Sequence, residues 1–210
     1  MSRFHAVFCC ALLAPVLGLA AEPIALPKPR TQGGKPLMQA LAERKSSREF
    51  SPEKLPPQTL SDLLWAAYGI SRPDGRRTAP TASNRQEIEI YVALAEGVYR
   101  YDAKSHRLDP VVSGDLRGAT GTQDFVAGAP LNLVYVADFG RVSGGNPEDK
   151  SLYAAADTGF ISQNVYLYCA SEGLATVVRG SVDRAALAKA LKLPENQRVM
   201  LAQTVGYAAK

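Results

Sequence analysis

Hydrophobic and polar positions change rhythm several times along these 210 residues, and each change predicts an element. In "SPEKLPPQTLSDLLWAAYGI", Leu60, Leu63, Leu64 and Ala67 recur at i, i+3, i+4 and i+7, which predicts a helix stopped at Gly69. A shorter helix is predicted over 36–44, with Leu37, Leu41 and the alanines on one face. "EIEIYVAL" and "GVYRYD" alternate with period two and predict a hairpin turning at 95–97. The unbroken apolar run of "APLNLVYVADFG" predicts a central strand. The longest helix is predicted over 147–172. Its "YAAADTGFISQNVYLYCA" is apolar or small almost all the way round, which predicts burial on most sides. Ala155, Gly159 and Ser162 would let another helix, from a second subunit, approach closely. A short strand "LATVVRG", a surface helix "DRAALAKALKL" and a closing strand "RVMLAQTVGYA" follow. Strands and helices mix without regular βαβ alternation, so the predicted class is α+β.

The N-terminal rhythm is of another kind. A cationic Arg3, an apolar run from Ala6 to Leu19, and small residues Gly18 and Ala20 at the cleavage offset predict a secretory signal peptide over 1–20. The run is too short to span a bilayer comfortably, so no membrane span is expected after cleavage. A Pro- and Gly-rich extended arm over 21–34 and one domain over 35–210 complete the predicted organisation.

Loss of the signal peptide empties the chain of reactive groups. Only Cys169 and His106 remain of three cysteines and two histidines. This excludes an intramolecular disulfide and a Cys/His zinc site, and leaves any Ser-His nucleophile to depend on His106 in the polar turn "YDAKSHRLDP". The formal net charge of +4, +3 without Arg3, is too mild to point to nucleic acid. Difficult chemistry in such a chain belongs to a cofactor.

Three segments could hold one. "RKSSREF" groups Arg44, Lys45 and Arg48 round two serines, a donor set that suits a phosphate, although cations at a helix end also answer its dipole. "RRTAPTASNRQ" is a long loop of small and amide-bearing residues that could approach a planar polar ligand, or simply lie at the surface. "GLATVVRGSVD" presents Gly180, which either offers its N–H to a ligand or ends a strand.

In order and spacing these segments, with "LSDLLWAAYGI" and "DTGFISQNVYLYCASEGL", resemble the FMN-dependent nitroreductase superfamily, in particular its SagB-type, thiazole- and oxazole-forming dehydrogenase branch. The resemblance runs from about Pro36 onward. It implies a central mixed or antiparallel sheet flanked by helices, in a homodimer with FMN sites at the interface. It implies Arg44, Lys45, Ser46 and Arg48 on the FMN phosphate and ribityl chain. Pro80, Thr81 and Ala82 would reach FMN from the partner subunit, with Asn84 and Gln86 shaping that loop. Gln123 would face the pyrimidine edge, and Gly180, flanked by Val178 and Arg179, would donate its N–H towards flavin N5. The chain departs from the pattern at Lys45, at "PT" for "PS", and at "VGYAAK", where relatives often carry a basic segment; these departures imply weaker cofactor affinity.

The function so implied is an exported, periplasmic oxidoreductase moving hydride between flavin N5 and a small planar organic substrate: a nitro compound, a quinone or a heterocycle. NAD(P)H pools are cytoplasmic, so its electrons would pass through another donor or a redox partner. The alternative is a non-catalytic binding protein of the same fold with lost or weakened flavin binding.

Overall fold

The computed structural model describes residues 22–209, so the signal peptide expected over 1–20 lies outside the described residues. Seven strands form one sheet: β1 (Ile24–Ala25), β2 (Ile88–Ala93), β3 (Gly97–Asp102), β4 (Arg107–Ser113), β5 (Leu131–Asp138), β6 (Ala175–Arg179) and β7 (Gln197–Gly206). Their spatial order is β1-β4-β3-β2-β5-β7-β6, and every pairing is antiparallel. Among the described residues the α-helices are α1 (Leu37–Glu43), α2 (Pro57–Tyr68), α3 (Phe125–Gly128), α4 (Pro147–Glu172) and α5 (Arg184–Ala190).

β5 takes the central place its apolar run predicts, with seven of its eight residues buried. On one sheet face Leu63 and Leu64 of α2 pack with Ile161 and Val165 of α4 against Ile90, Leu133 and Tyr135. Each such fully buried side chain stabilises the fold by about 1.5–3 kcal/mol. On the other face Leu187 and Leu191 cover Val134, Val136 and Val199. β4 escaped the period-two reading because Pro110 interrupts it. The strand tolerates this proline where it opposes Tyr99, beside a register shift at Val98 and Tyr99, since a bulge can spare a ladder N–H.

α4 begins and ends where its local chemistry requires. The Asn146 side chain accepts the Asp149 N–H at 2.7 Å, Pro147 opens the first turn, and Gly173 closes the helix at φ 70°, a left-handed value that suits glycine. The expected burial on most sides is corrected: one face alone is covered within the chain. Leu152 is 65% exposed, and Tyr153 and Phe160 are each 47% exposed. Ala155 and Gly159 share that open face, whereas Ser162 is buried against β7, where its carbonyl accepts from Gln203.

The residues before α1 are stapled to α2. Asp62 accepts both the backbone N–H and the Nε–H of Arg30 at 2.7 Å, and Ser61 Oγ donates to the Pro27 carbonyl at 2.5 Å. His106 is likewise no solvated turn residue. Its Nε2 meets Ser61 Oγ at 2.7 Å and its Nδ1 meets Tyr101 OH at 2.9 Å. The Ser61 hydrogen is committed to Pro27, so Nε2 must donate and Nδ1 accept from Tyr101. A buried serine held this way is a structural brace, not a nucleophile.

Candidate functional site

Residues 46–51 run along the end of the sheet. The Ser47 N–H donates to the Thr176 carbonyl of β6 at 2.9 Å, and the Ser51 N–H donates to the carbonyl of Tyr207, just after β7, at 2.9 Å, so this stretch ties the end of β6 to the residues that follow β7. Arg44 forms the C-cap of α1 and Lys45 follows it directly, whereas Arg48 lies four residues past the cap, where the helix dipole no longer explains a cation. Among the described residues, none of these three cations makes an ion pair or a side-chain hydrogen bond. By contrast, Glu43 beside them is satisfied by Lys35 at 2.5 Å. Arg44 instead stacks on the Tyr166 ring, 5.1 Å from its centroid. Arg44 and Ser46 both meet Tyr166, and with the neighbouring Lys45 and Arg48 they form a cluster of unpaired cations and a hydroxyl whose chemistry suits a phosphate dianion. A cavity of about 510 Å³ opens beside it, lined by Lys45, Ser47, Tyr166 and Thr176 among others.

Tyr166 of α4 joins this cluster to β6. Its OH accepts the Val178 N–H at 2.9 Å and shares a 2.8 Å hydrogen bond with Ser46 Oγ. Sequence reading missed this residue; the available signal was a tyrosine on the buried stripe of a helix, whose hydroxyl must find a partner. Tyr166→Phe leaves the Val178 N–H without its acceptor. The expected cost is about 1–2 kcal/mol, read from urea unfolding.

Alternation along β6 sends Val178 and Arg179 to opposite faces of the sheet. Val178 meets α4 through Tyr166. The Arg179 guanidinium crosses to the α5 side, where it is 4% exposed and faces no carboxylate. Nε donates to Thr204 Oγ1 at 3.1 Å, Nη1 to the Thr120 carbonyl at 2.8 Å and Nη2 to Asn132 Oδ1 at 3.0 Å. Burial with neutral acceptors alone pushes this guanidinium down to about 10. Gln123 lies next to it across Gly121, and its Oε1 is buried with no donor. Gly180 follows, exposed and open: a Cβ there would meet only Leu201 Cδ2, at 3.9 Å.

The loop bearing Pro80, Thr81, Ala82, Asn84 and Gln86 stands apart from this group. It is anchored to α4 through Ala82, whose N–H donates to Asp157 Oδ2 at 3.0 Å. Asp157 and Tyr166 are nine residues apart on that helix, about 14 Å along its axis. Inside the loop the Gln86 N–H donates to Thr81 Oγ1, and Gln86 Oε1 accepts from Arg77 Nε at 2.8 Å. One chain thus brings Arg44, Ser46 and Val178 together round Tyr166, with Lys45 lining the adjacent cavity, and holds residues 80–86 elsewhere.

A model of the Nitroreductase family matches residues 41–207. A Methanocaldococcus jannaschii protein described as a nitroreductase is 34% identical over 169 residues, which is 76% of this chain and 85% of that protein. The crystal structure of a Ralstonia eutropha JMP134 protein, also described as a nitroreductase, is 46% identical with a TM-score of 0.87, covering 92% of this chain and 93% of that one. The NADPH:FMN oxidoreductase of Vibrio harveyi shares the fold at 22% identity and a TM-score of 0.61, over 83% of this chain and 69% of that one. Motif order, sheet topology and the family match agree: the chain belongs to the nitroreductase family of flavin-dependent oxidoreductases.

Proposed function

We propose that this chain is an exported, homodimeric FMN-dependent oxidoreductase acting on a small planar organic substrate, of the SagB-type dehydrogenase branch that its motifs resemble. The observation that carries the reading is the trio Arg44, Lys45 and Arg48, unpaired among the described residues, beside Tyr166, which Arg44 and Ser46 contact and which reaches Val178 in the strand just before Gly180.

The residues present fit FMN chemically. Arg44, Lys45 and Arg48 would neutralise its phosphate, with the Ser46 hydroxyl beside them. The unpartnered Gln123 Oε1 offers an acceptor for a pyrimidine N–H. Gly180 lacks a side chain and leaves its backbone N–H approachable. When bound, FMN supplies reversible two-electron hydride transfer. The chain's own task is to orient that group, exclude water and keep one side open to substrate. Arg179 serves through its backbone, its guanidinium being spent on Thr120, Asn132 and Thr204.

Two features support a dimer that completes the site. The apolar side chains of Leu37, Met38 and Leu41 on α1 and Leu152, Tyr153 and Phe160 on α4 are left exposed by the described residues. Loop 80–86 sits about 14 Å along α4 from the cation cluster, so it would serve the partner subunit's cofactor rather than its own. Export would separate the enzyme from NAD(P)H and leave electron delivery to another donor or a redox partner.

Reconstitution tests the reading. Purified protein mixed with FMN and desalted should retain a flavin band near ~450 nm at one flavin per subunit, the optical signature of the cofactor. Protein that emerges colourless at micromolar FMN would reject it.

A further inference from the structure

Beneath loop 80–86 two carboxyl groups are buried together. Glu87, just before β2, is 1% exposed and Asp157 of α4 is 2% exposed. Asp157 has a donor in the Ala82 N–H. Among the described residues Glu87 Oε2 has none, and the neighbouring Asp157 carboxyl raises the Glu87 carboxyl above its ordinary range. Among the described residues no cation forms an ion pair with either carboxyl. Tyr68 of α2 is buried with its own OH unpartnered. Arg77 gives its Nε to Gln86 Oε1 and its Nη1 to the Tyr68 carbonyl, and stacks on the Tyr68 ring at 4.3 Å. Arg85, two residues before Glu87, opposes that rise by attraction without bonding the carboxyl. Two ionised carboxylates closed off from water would repel, whereas a single proton between them converts the repulsion into a hydrogen bond and gives Glu87 Oε2 its missing partner.

The loop above needs such an anchor. Ser83, Asn84 and Gln86 have φ values of 53°, 54° and 51°. Three non-glycine residues in the left-handed region persist only where the surroundings hold them there. Of the interactions that do so, the Ala82 N–H to Asp157 bond is the one that reaches across to α4.

We propose that Glu87 is held protonated and donates to the Asp157 carboxylate, the two acting together as positioning residues that fix the 80–86 loop. The part this loop plays at a cofactor rests on the function proposed above; the anchor itself does not. Burial, and next the contact with Asp157, push the Glu87 carboxyl up to about 7, from an ordinary 4.5. A carboxyl raised on folding binds more protons in the native state. Its contribution to stability is therefore complete below about pH 4.5 and is lost as pH rises through about 7.

The test titrates the chain without FMN, so its outcome is independent of the cofactor assignment. The Ala82 amide, followed by nitrogen-15 NMR, is expected to shift with one midpoint near neutrality in the wild type. That midpoint should vanish in Glu87→Gln and in Asp157→Asn, both of which leave an acceptor for Ala82. The wild-type Tm should also fall by about 5 °C or more between about pH 5 and about pH 8 relative to Glu87→Gln. An Ala82 amide that does not titrate in the wild type overturns the proposal. So does a Tm profile that runs parallel in the wild type and both variants.

Discussion

Replacing both Arg44 and Arg48 with alanine lowers FMN affinity by about 100-fold while leaving the fold intact. Hydrogen bonds to an ionised partner are worth about 1.5–3 kcal/mol each, and each 1.4 kcal/mol is tenfold in affinity. Arg48 is exposed and Arg44 half-buried, so solvent screening brings each to about one factor of ten. Neither makes an ion pair among the described residues. The double substitution removes the stacking of Arg44 on Tyr166, worth about 0.5–1 kcal/mol, and the far-ultraviolet spectrum should not change. Affinity in the wild type should fall more steeply with salt than in the double variant, because fewer charges remain to be screened. The comparison is made by fluorescence titration of FMN, with Arg107→Ala as a control cation that is already paired with Asp109. A double variant that binds FMN within about threefold of the wild type would place the phosphate elsewhere.

Elements that carry their own punctuation were legible. The bounds of α4 follow from Asn146, Pro147 and Gly173, and β5 announces itself by seven residues without a charge before Asp138. What the sequence could not display is which neighbour covers a face. An apolar helix looks the same whether Phe160 meets its own core or nothing within the chain, and the residues of α4 gave no means of telling. The site shows a similar boundary. "RKSSREF" and "VVRG" could each be marked as ligand-facing, but their connection runs through Tyr166, more than a hundred residues from Ser46, and only folding creates it. Adjacency also misleads: Val178 and Arg179 are neighbours in the chain and lie on opposite sides of the sheet. Glu87 and Asp157 were invisible for the same reason, being ordinary acids until the fold removes both from water.

Gly121→Ala is expected to cost about 3 kcal/mol of stability, a large penalty for adding one methyl group. The backbone conformation does not require glycine, since φ is 179° and extended. Space does. A Cβ at this position would lie 1.8 Å from Arg179 Nη1 and 3.1 Å from Gln123 Oε1, well inside van der Waals contact. A long side chain at the surface would swing away, but this guanidinium is buried and its nitrogens are engaged with Thr204, Thr120 and Asn132. Displacing it breaks charge-assisted hydrogen bonds worth about 1.5–3 kcal/mol each and strands a cation among groups that no longer solvate it. The clash can be isolated by a double-mutant cycle in urea. Once Arg179→Met has removed the guanidinium, the further change Gly121→Ala should cost less than about 1 kcal/mol, a coupling of about 2 kcal/mol between touching residues. An equal cost in both backgrounds would assign the requirement for glycine to something other than Arg179. The cycle also bears on the site, because the same methyl group that evicts the guanidinium presses on Gln123. Flavin binding by Gly121→Ala should therefore weaken even at temperatures where the variant stays folded, and Arg179→Met should restore part of it by vacating the space.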